Sequence, residues 1–238
     1  MSAKEAAPEA APKEGLPTLH HLSDSQSQAM IWLLEELSVE YNLVLYQRDK
    51  GHRAPPELRN INQLGKSPVF VTTDGRPIIE RSAISAYILK TYDTTGKHAA
   101  EDWVKDEILN SFAGATLGPL TAIELLFDLA TKHTPWPLVY IARGFRKGVQ
   151  KTFTTAEFKQ SLEFLERELG DNEWFNGKEF GRADVMMNFP VDYIYMRKWV
   201  DNLELHYPKV TAWRQRVWER PAWKRGIEKG NGYDLAIF

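Results

Sequence analysis

The sequence predicts two architectures in series: an α/β domain with a small mixed sheet, then an all-α domain. Three observations predict it. From Leu16 to Tyr92, short strand-like runs alternate with helical patterns and include an Asp74-Gly75 hairpin signal. Asp93-Thr94-Thr95-Gly96 is a polar break. Beyond it, apolar residues recur at helical spacing. The expected division is 1–15 as a disordered tail rich in Ala, Pro, Glu and Lys, 16–93 as the sheet domain and 99–238 as the helical domain.

Leu16 to Leu22 reads as a strand ending at Ser23-Asp24-Ser25, and Ser25 to Ser38 as a helix carrying Met30, Ile31, Leu33, Leu34 and Leu37, capped by Ser25 or a neighbour. Tyr41 to Gln47 alternates as a second strand, and Pro55-Pro56-Glu57 opens a short helix. Ser67 to Val71 and Pro77 to Ile79 flank the hairpin turn, and Glu80 to Tyr92 is helical. A strand–helix–strand start implies a parallel pair, and the hairpin adds antiparallel strands. In the second half the pattern predicts a long helix from Trp103 to Lys132 kinked at Gly118-Pro119, and a mostly helical stretch from Leu138 to Leu169 interrupted near Gly148 to Thr155. Three further helices cover 182–200, 207–219 and 221–229.

Composition narrows the chemistry. A chain of 238 residues with 43% apolar content has enough material for one large core or two small ones. Thirty Lys and Arg against 32 Asp and Glu leave a net charge of −2, which argues against a nucleic-acid partner and gives no polybasic membrane signal. With no cysteine, disulfides, Cys-ligated zinc, iron–sulfur clusters and a cysteine nucleophile are excluded, so thiol chemistry needs a thiol brought by a ligand. Apolar runs are short, so no transmembrane helix is expected, and Met1 to Gly15 lacks the apolar stretch of a signal peptide. A cytoplasmic protein is the expectation.

Three segments carry chemistry. In Leu64-Gly65-Lys66-Ser67-Pro68-Val69, a cis Ser67-Pro68 bond leaves the Ser67 N–H and C=O free for a peptide-like ligand, whereas a trans bond at an edge strand is the commoner arrangement, only about 5–6% of X–Pro bonds being cis. Glu80-Arg81-Ser82 opens a helix, where backbone amides and a carboxylate suit an amino-acid head group but equally serve ordinary capping. In Phe175 to Asp184, Asp184 at the third helical position bonds back to the Gly181 N–H and nucleates a buried helix. His20 and His21 point to opposite faces of a strand and make a poor metal pair; no metal site is expected. The basic residues from Arg214 to Arg225 read as a solvated helix face.

Together these segments resemble a cytosolic-type glutathione transferase over nearly all of 16–233. The resemblance rests on His20-His21-Leu22-Ser23-Asp24-Ser25-Gln26-Ser27-Gln28 with Trp32 to Leu37, on Ala54-Pro55-Pro56-Glu57-Leu58, on Leu64 to Pro68, on Ala183 to Met187 and on Arg220 to Arg225 with Glu228-Lys229-Gly230. It points to the fungal and bacterial subgroup that includes a yeast transferase. It implies a thioredoxin-like N-terminal domain, an all-helical C-terminal domain, a homodimer, glutathione as co-substrate and a small hydrophobic electrophile as second substrate. It also makes the cis form of Pro68 the expected one.

By the same resemblance, Ser25 donates a hydrogen bond to the glutathione sulfur, with Ser23 and Ser27 as competing candidates. The backbone of Ser67 pairs with the cysteinyl part, Glu80 and Arg81 take the γ-glutamyl end, and Lys66 reaches the glycyl carboxylate. Phe112, Thr116 and Leu120, four apart on the long helix, line the electrophile pocket or form a core stripe. The sequence departs from the family pattern at Arg81, where a serine is usual, at Gln26 and Ala29, where the subgroup tends to carry arginine, and at Asn62-Gln63, where it tends to carry His-Pro. Arg81, Gln26 and Ala29 motivate a second reading, a fungal pathway isomerase, lyase or cyclase on the same fold with glutathione optional. A third is a non-enzymatic ligand-binding or partner-docking module, and fold alone does not separate them.

Overall fold

The computed structural model describes residues 12–49 and 51–236. Most of the expected N-terminal tail lies outside the described residues. Within them Lys13 is tied down, its N–H donating to Asn42 Oδ1 at 2.8 Å and its C=O accepting from Asn42 Nδ2 at 2.9 Å.

The sheet has four strands in the order β2-β1-β3-β4. Strand β1 (Thr18–Leu22) pairs in parallel with β2 (Asn42–Tyr46), from Thr18 opposite Asn42 to Leu22 opposite Tyr46. It pairs antiparallel with β3 (Val69–Val71), which forms the expected hairpin with β4 (Pro77–Ile79). The turn between them places Gly75 at φ +84°, a conformation glycine adopts without steric cost. A 3-10 turn at Pro56–Asn60 stands where a short helix was expected, and α2 (Arg81–Tyr92) closes the motif.

Helix α1 (Gln28–Glu36) starts three residues later than expected and is buried from Gln28 through Glu35. An amphipathic helix against one sheet face would leave one side open; here α10 (Pro221–Lys229) covers it. Trp32 and Trp223 meet edge-to-face at 5.8 Å, and Gly226 passes so close that a Cβ there would lie 3.3 Å from Ile31 Cγ2. Glu35 anchors α10. It accepts from Arg225 Nε at 3.1 Å, from Lys229 Nζ and from the Tyr41 hydroxyl at 2.8 Å. Burial opposes the Glu35 charge, but Lys229, Tyr41 and Arg225 outweigh it and hold the carboxyl below its ordinary range.

The packing units therefore differ from the expected division. One comprises the described residues to Tyr92 together with Pro221–Tyr233; the other comprises Asp93–Arg220 with the residues from Asp234 onward. Helix α10, read within 99–238, packs with the first unit because its apolar face matches α1.

The second unit is helical. Helix α3 (Trp103–Ser111), capped by Asp102 through the Val104 and Lys105 N–H groups, runs through a π turn (Phe112–Leu117) into α4 (Gly118–His133). The irregularity thus precedes the expected Gly118-Pro119 kink, because Pro119 falls in the first turn of α4, where its missing N–H costs little. A second π turn (Gln150–Thr154) joins α5 (Val139–Val149) to α6 (Thr155–Leu169). Gln150 Nε2, at 3.0 Å, and Thr154 Oγ1 both donate to the buried Glu124 of α4.

The run Trp103–His133 has the length and apolar composition of a membrane span, by those two criteria only. It also carries Glu124 and Asp128, which face Arg146 at 3.7 Å and Arg197 at 2.7 Å as in a packed bundle.

Helix α7 (Arg182–Arg197) is buried from Ala183 through Ile194 and is followed by α8 (Leu203–His206) and α9 (Pro208–Glu219). Asp184 accepts from the N–H groups of Gly181 (2.8 Å) and Phe175 (2.9 Å) and from Trp213 Nε1 (2.7 Å). Burial nonetheless pushes its carboxyl up to about 6. In the basic stretch from Arg214 to Arg225, Lys224 and Arg225 are exposed as expected, while the half-buried Arg214 pairs with the buried Asp192 at 2.5 Å, and Arg225 also pairs with Glu35.

Candidate functional site

The turn from β1 into α1 concentrates buried hydroxyl groups. Ser23, Ser25 and Ser27 are 3%, 4% and 0% exposed, which separates them by partners rather than by access. Ser23 is a turn-building residue: its N–H donates to Tyr46 O at 2.9 Å, and its C=O accepts from Arg48 Nε at 3.0 Å. Arg48 also donates to the C=O groups of Asp24 (3.1 Å) and His52 (2.9 Å), gathering three carbonyls around one guanidinium.

Ser25 and Ser27 form one system. Ser25 Oγ lies 2.7 Å from Leu22 O and 2.6 Å from Ser27 Oγ, and accepts from the Ser27 N–H at 3.2 Å. Ser27 Oγ lies 2.8 Å from His21 Nδ1 and accepts from the Leu22 N–H at 3.2 Å. Ser25 precedes α1 and does not cap it; Ser27, at the cap position, makes no side-chain capping bond. Both hydroxyls are thus spent on one another, on Leu22 and on His21. His21 is fully buried, and that burial lowers its pKa from 6.5 to about 4 against the opposing pull of the Asn231 side chain, so the ring is neutral at physiological pH.

Ser67-Pro68 is cis, as is Trp136-Pro137, which carried no expectation. The Ser67 hydroxyl donates to His20 O at 3.0 Å and accepts from the Leu22 N–H at 3.2 Å. Leu22 therefore joins the two halves of the expected site, its C=O to Ser25 and its N–H to both Ser67 and Ser27. Lys66 is exposed beside them.

Glu80 is exposed and sits at φ +67°, a left-handed backbone that costs a side-chain-bearing residue about 1–2 kcal/mol and is kept where the surroundings dictate it. Arg81 begins α2 and is 6% exposed. Burial lowers its pKa to about 10, opposed by Tyr233 and Glu80, so it stays a cation.

Phe112, Thr116 and Leu120 do not share one environment. Phe112 packs on Phe164 of α6 with ring centroids 4.7 Å apart and planes tilted by 53°, Thr116 is exposed and Leu120 is buried. The π turn that holds the first two changes the angular step per residue, so four-residue spacing no longer keeps one face.

His21, Leu22 and Arg48 were missed by sequence reasoning. Adjacent histidines on a strand signal opposed faces, and only the fold brings Ser27 back onto one of them. Among the described residues no cluster of His, Asp and Glu could hold a metal ion. A cavity of about 610 Å³ lies in the helical unit, lined by Lys132, Arg143, Arg146, Lys147, Arg197 and Asp128 among others. None of the expected site residues lines it.

Two families match the chain: "Glutathione S-transferase, N-terminal domain" over residues 15–90 and "Glutathione S-transferase, C-terminal domain" over 150–221. Glutathione S-transferase 3 of Schizosaccharomyces pombe is 34% identical over 228 residues, covering 92% of this chain and 90% of the relative. Glutathione S-transferase 1 of Saccharomyces cerevisiae is 29% identical over 222 residues, covering 89% and 94%. A crystal structure of a glutathione transferase from Phanerochaete chrysosporium with oxidized glutathione superposes with a TM-score of 0.72 at 24% identity, covering 92% of this chain and 96% of that one. The thioredoxin-like first domain, the helical second domain and these full-length relatives agree, and the chain belongs to the glutathione S-transferase family.

Proposed function

We propose that this enzyme binds glutathione in its sheet unit and transfers the thiolate to a small hydrophobic electrophile. The observation that carries the proposal is the convergence on Leu22: one residue ties the Ser25 hydroxyl, through its C=O, to the Ser67 segment, through its N–H. A peptide paired with the free backbone of Ser67 would then present its cysteinyl sulfur to the β1–α1 turn. A free thiol has a pKa near 8.5, and lowering it by about two units takes about 2.7 kcal/mol of preference for the thiolate. One hydroxyl donor and the α1 N-terminus are of the right size for that.

In this reading Ser25 turns its proton from Leu22 O to the sulfur. Glu80 takes the γ-glutamyl ammonium, the buried cation of Arg81 lends a positive field to the γ-glutamyl carboxylate, and Lys66 takes the glycyl end. The Phanerochaete relative, whose crystal structure holds oxidized glutathione, supports the choice of tripeptide. Phe112, Thr116 and Leu120 remain the proposed electrophile contacts; of the three, Thr116 is the exposed one.

Two copies associate in the cytoplasm in this reading, through the α4–α5 hairpin. Leu126, Tyr140, Ile141 and Phe145 are each more than 60% exposed there, an apolar surface that a second subunit would cover.

Calorimetry with glutathione and a conjugation assay across aryl halides, epoxides and enones test the proposal. Binding at sub-millimolar concentration with turnover of at least one class is expected; no binding at millimolar glutathione overturns it. Ser25→Ala should raise the pKa of the bound thiol by about one unit or more, read from thiolate absorbance against pH. An unchanged titration would remove Ser25 from the donor role.

A further inference from the structure

We propose that His21 and Ser27 are positioning residues that set which way the Ser25 hydroxyl donates. The inference rests on the reading of Ser25 as the donor to the glutathione sulfur. It starts from a count of protons. Three groups stand in line, Ser25 Oγ, Ser27 Oγ and His21 Nδ1, with separations of 2.6 and 2.8 Å. Each hydroxyl has one proton, and the neutral imidazole carries one proton on one of its two nitrogens. Two arrangements satisfy the line.

In the first, His21 Nδ1–H donates to Ser27, Ser27 donates to Ser25, and Ser25 keeps its own proton for Leu22 O or for a ligand. In the second, Ser25 donates to Ser27, Ser27 donates to His21 Nδ1, and the histidine proton sits on Nε2. In both, Ser27 Oγ accepts two hydrogen bonds, one of them from the Leu22 N–H, and donates one; only the first keeps the Ser25 hydrogen bond to Leu22 O at 2.7 Å. They differ at Ser25. Only the first leaves Ser25 a proton, held on Leu22 O in the free protein, that can turn to a thiolate.

Buried polar groups lie near the far side of the ring. His21 Nε2, both polar atoms of the Gln28 side chain and Asn231 Oδ1 are buried without a close partner. Gly230 closes over them; a Cβ there would lie 2.9 Å from Gln28 Oε1 and 3.4 Å from His21 Nε2. Asn231, whose amide NH₂ is held by Tyr46 O, can accept from Nε2–H through Oδ1 and favours the second arrangement, whereas a turn of the Gln28 amide toward an unprotonated Nε2 would favour the first. A thiolate beside Ser25 attracts the outward proton and selects the first arrangement. His21 thus acts at a distance of two hydrogen bonds, without touching glutathione.

Nitrogen-15 NMR of the histidine side chains in the intact wild-type protein reads the tautomer directly. With glutathione bound, His21 is expected to carry its proton on Nδ1; a proton on Nε2 in that complex overturns the proposal. Ser27→Ala breaks the line at its middle and should raise the bound-thiol pKa by about one unit, lowering kcat/KM near pH 6.5 about tenfold, with the KM for glutathione within about twofold. Ser27→Thr, which keeps the hydroxyl, should restore both. A Ser27→Ala enzyme with the wild-type thiol pKa overturns the proposal. Ser25→Ala separates the two levels: if it moves the thiol pKa and Ser27→Ala does not, only the positioning role fails, and if neither does, the donor reading itself fails.

Discussion

Acidification should weaken the sheet unit through a single buried ring. In the unfolded chain His21 titrates near 6.5, and in the folded protein burial holds it to about 4. Between those values the unfolded state binds more protons, so stability falls as pH falls through the window and levels off below pH 4. At pH 5 the unfolded state gains about 2 kcal/mol from protonating this residue, a factor of about 30 in the unfolding constant.

The assay is urea denaturation at pH 7.5 and pH 5 for the wild type and for His21→Asn, which retains a polar group toward Ser27. The variant can start from lower stability without harm, because the quantity read is the change between the two pH values. The wild type should lose about 2 kcal/mol more than the variant. Equal losses would mean that the ring is not held neutral by burial, and the reasoning about its tautomers would lose its foundation.

Other outcomes follow from the same contacts. Asp184 behaves oppositely to His21: its folded pKa of about 6 lies above the ordinary 3.8, so protonation favours the folded state as pH falls from 6 toward 3.8. Amide exchange around the N-terminus of α7, corrected for intrinsic rates, should slow by up to tenfold at pH 5, a gain of about 1 kcal/mol. Asp184→Ala leaves the Gly181 and Phe175 N–H groups and Trp213 Nε1 without their acceptor and should cost about 2–4 kcal/mol in chemical denaturation. Glu35→Ala removes the acceptor shared by Arg225, Lys229 and Tyr41; a loss of about 1–3 kcal/mol is expected, with exchange rising first in 221–229.

The sheet was legible because its signals are local. Asp74-Gly75 specifies a tight turn, and the apolar runs on either side of it set the register. The cis Ser67-Pro68 bond was legible only through resemblance, since spacing alone favours trans. The site was read in part. Ser25 and Ser67 were placed in one neighbourhood, but their link through Leu22 is a backbone contact, which no side-chain pattern announces.

His21 was set aside because its neighbour His20 faces the other way, an argument about metal binding that is silent about a serine six positions later. The Phe112–Thr116–Leu120 spacing shows a different limit: a shared helical face assumes a constant turn, and the π segment breaks it. The place of α10 was lost because amphipathicity says that a helix has an apolar face, not which helix will receive it.

The return of α10 to α1 also sets the order in which the protein can be made. A chain emerging from the ribosome presents β1 and the apolar flank of α1 early, while Trp223 and Gly226 are still some 190 residues from being synthesised. Through most of translation Trp32 stays uncovered, and the nascent first unit is a client for chaperones rather than a finished fold. Loss of the final helix through premature termination would thus strip the product of the wall behind its own beginning.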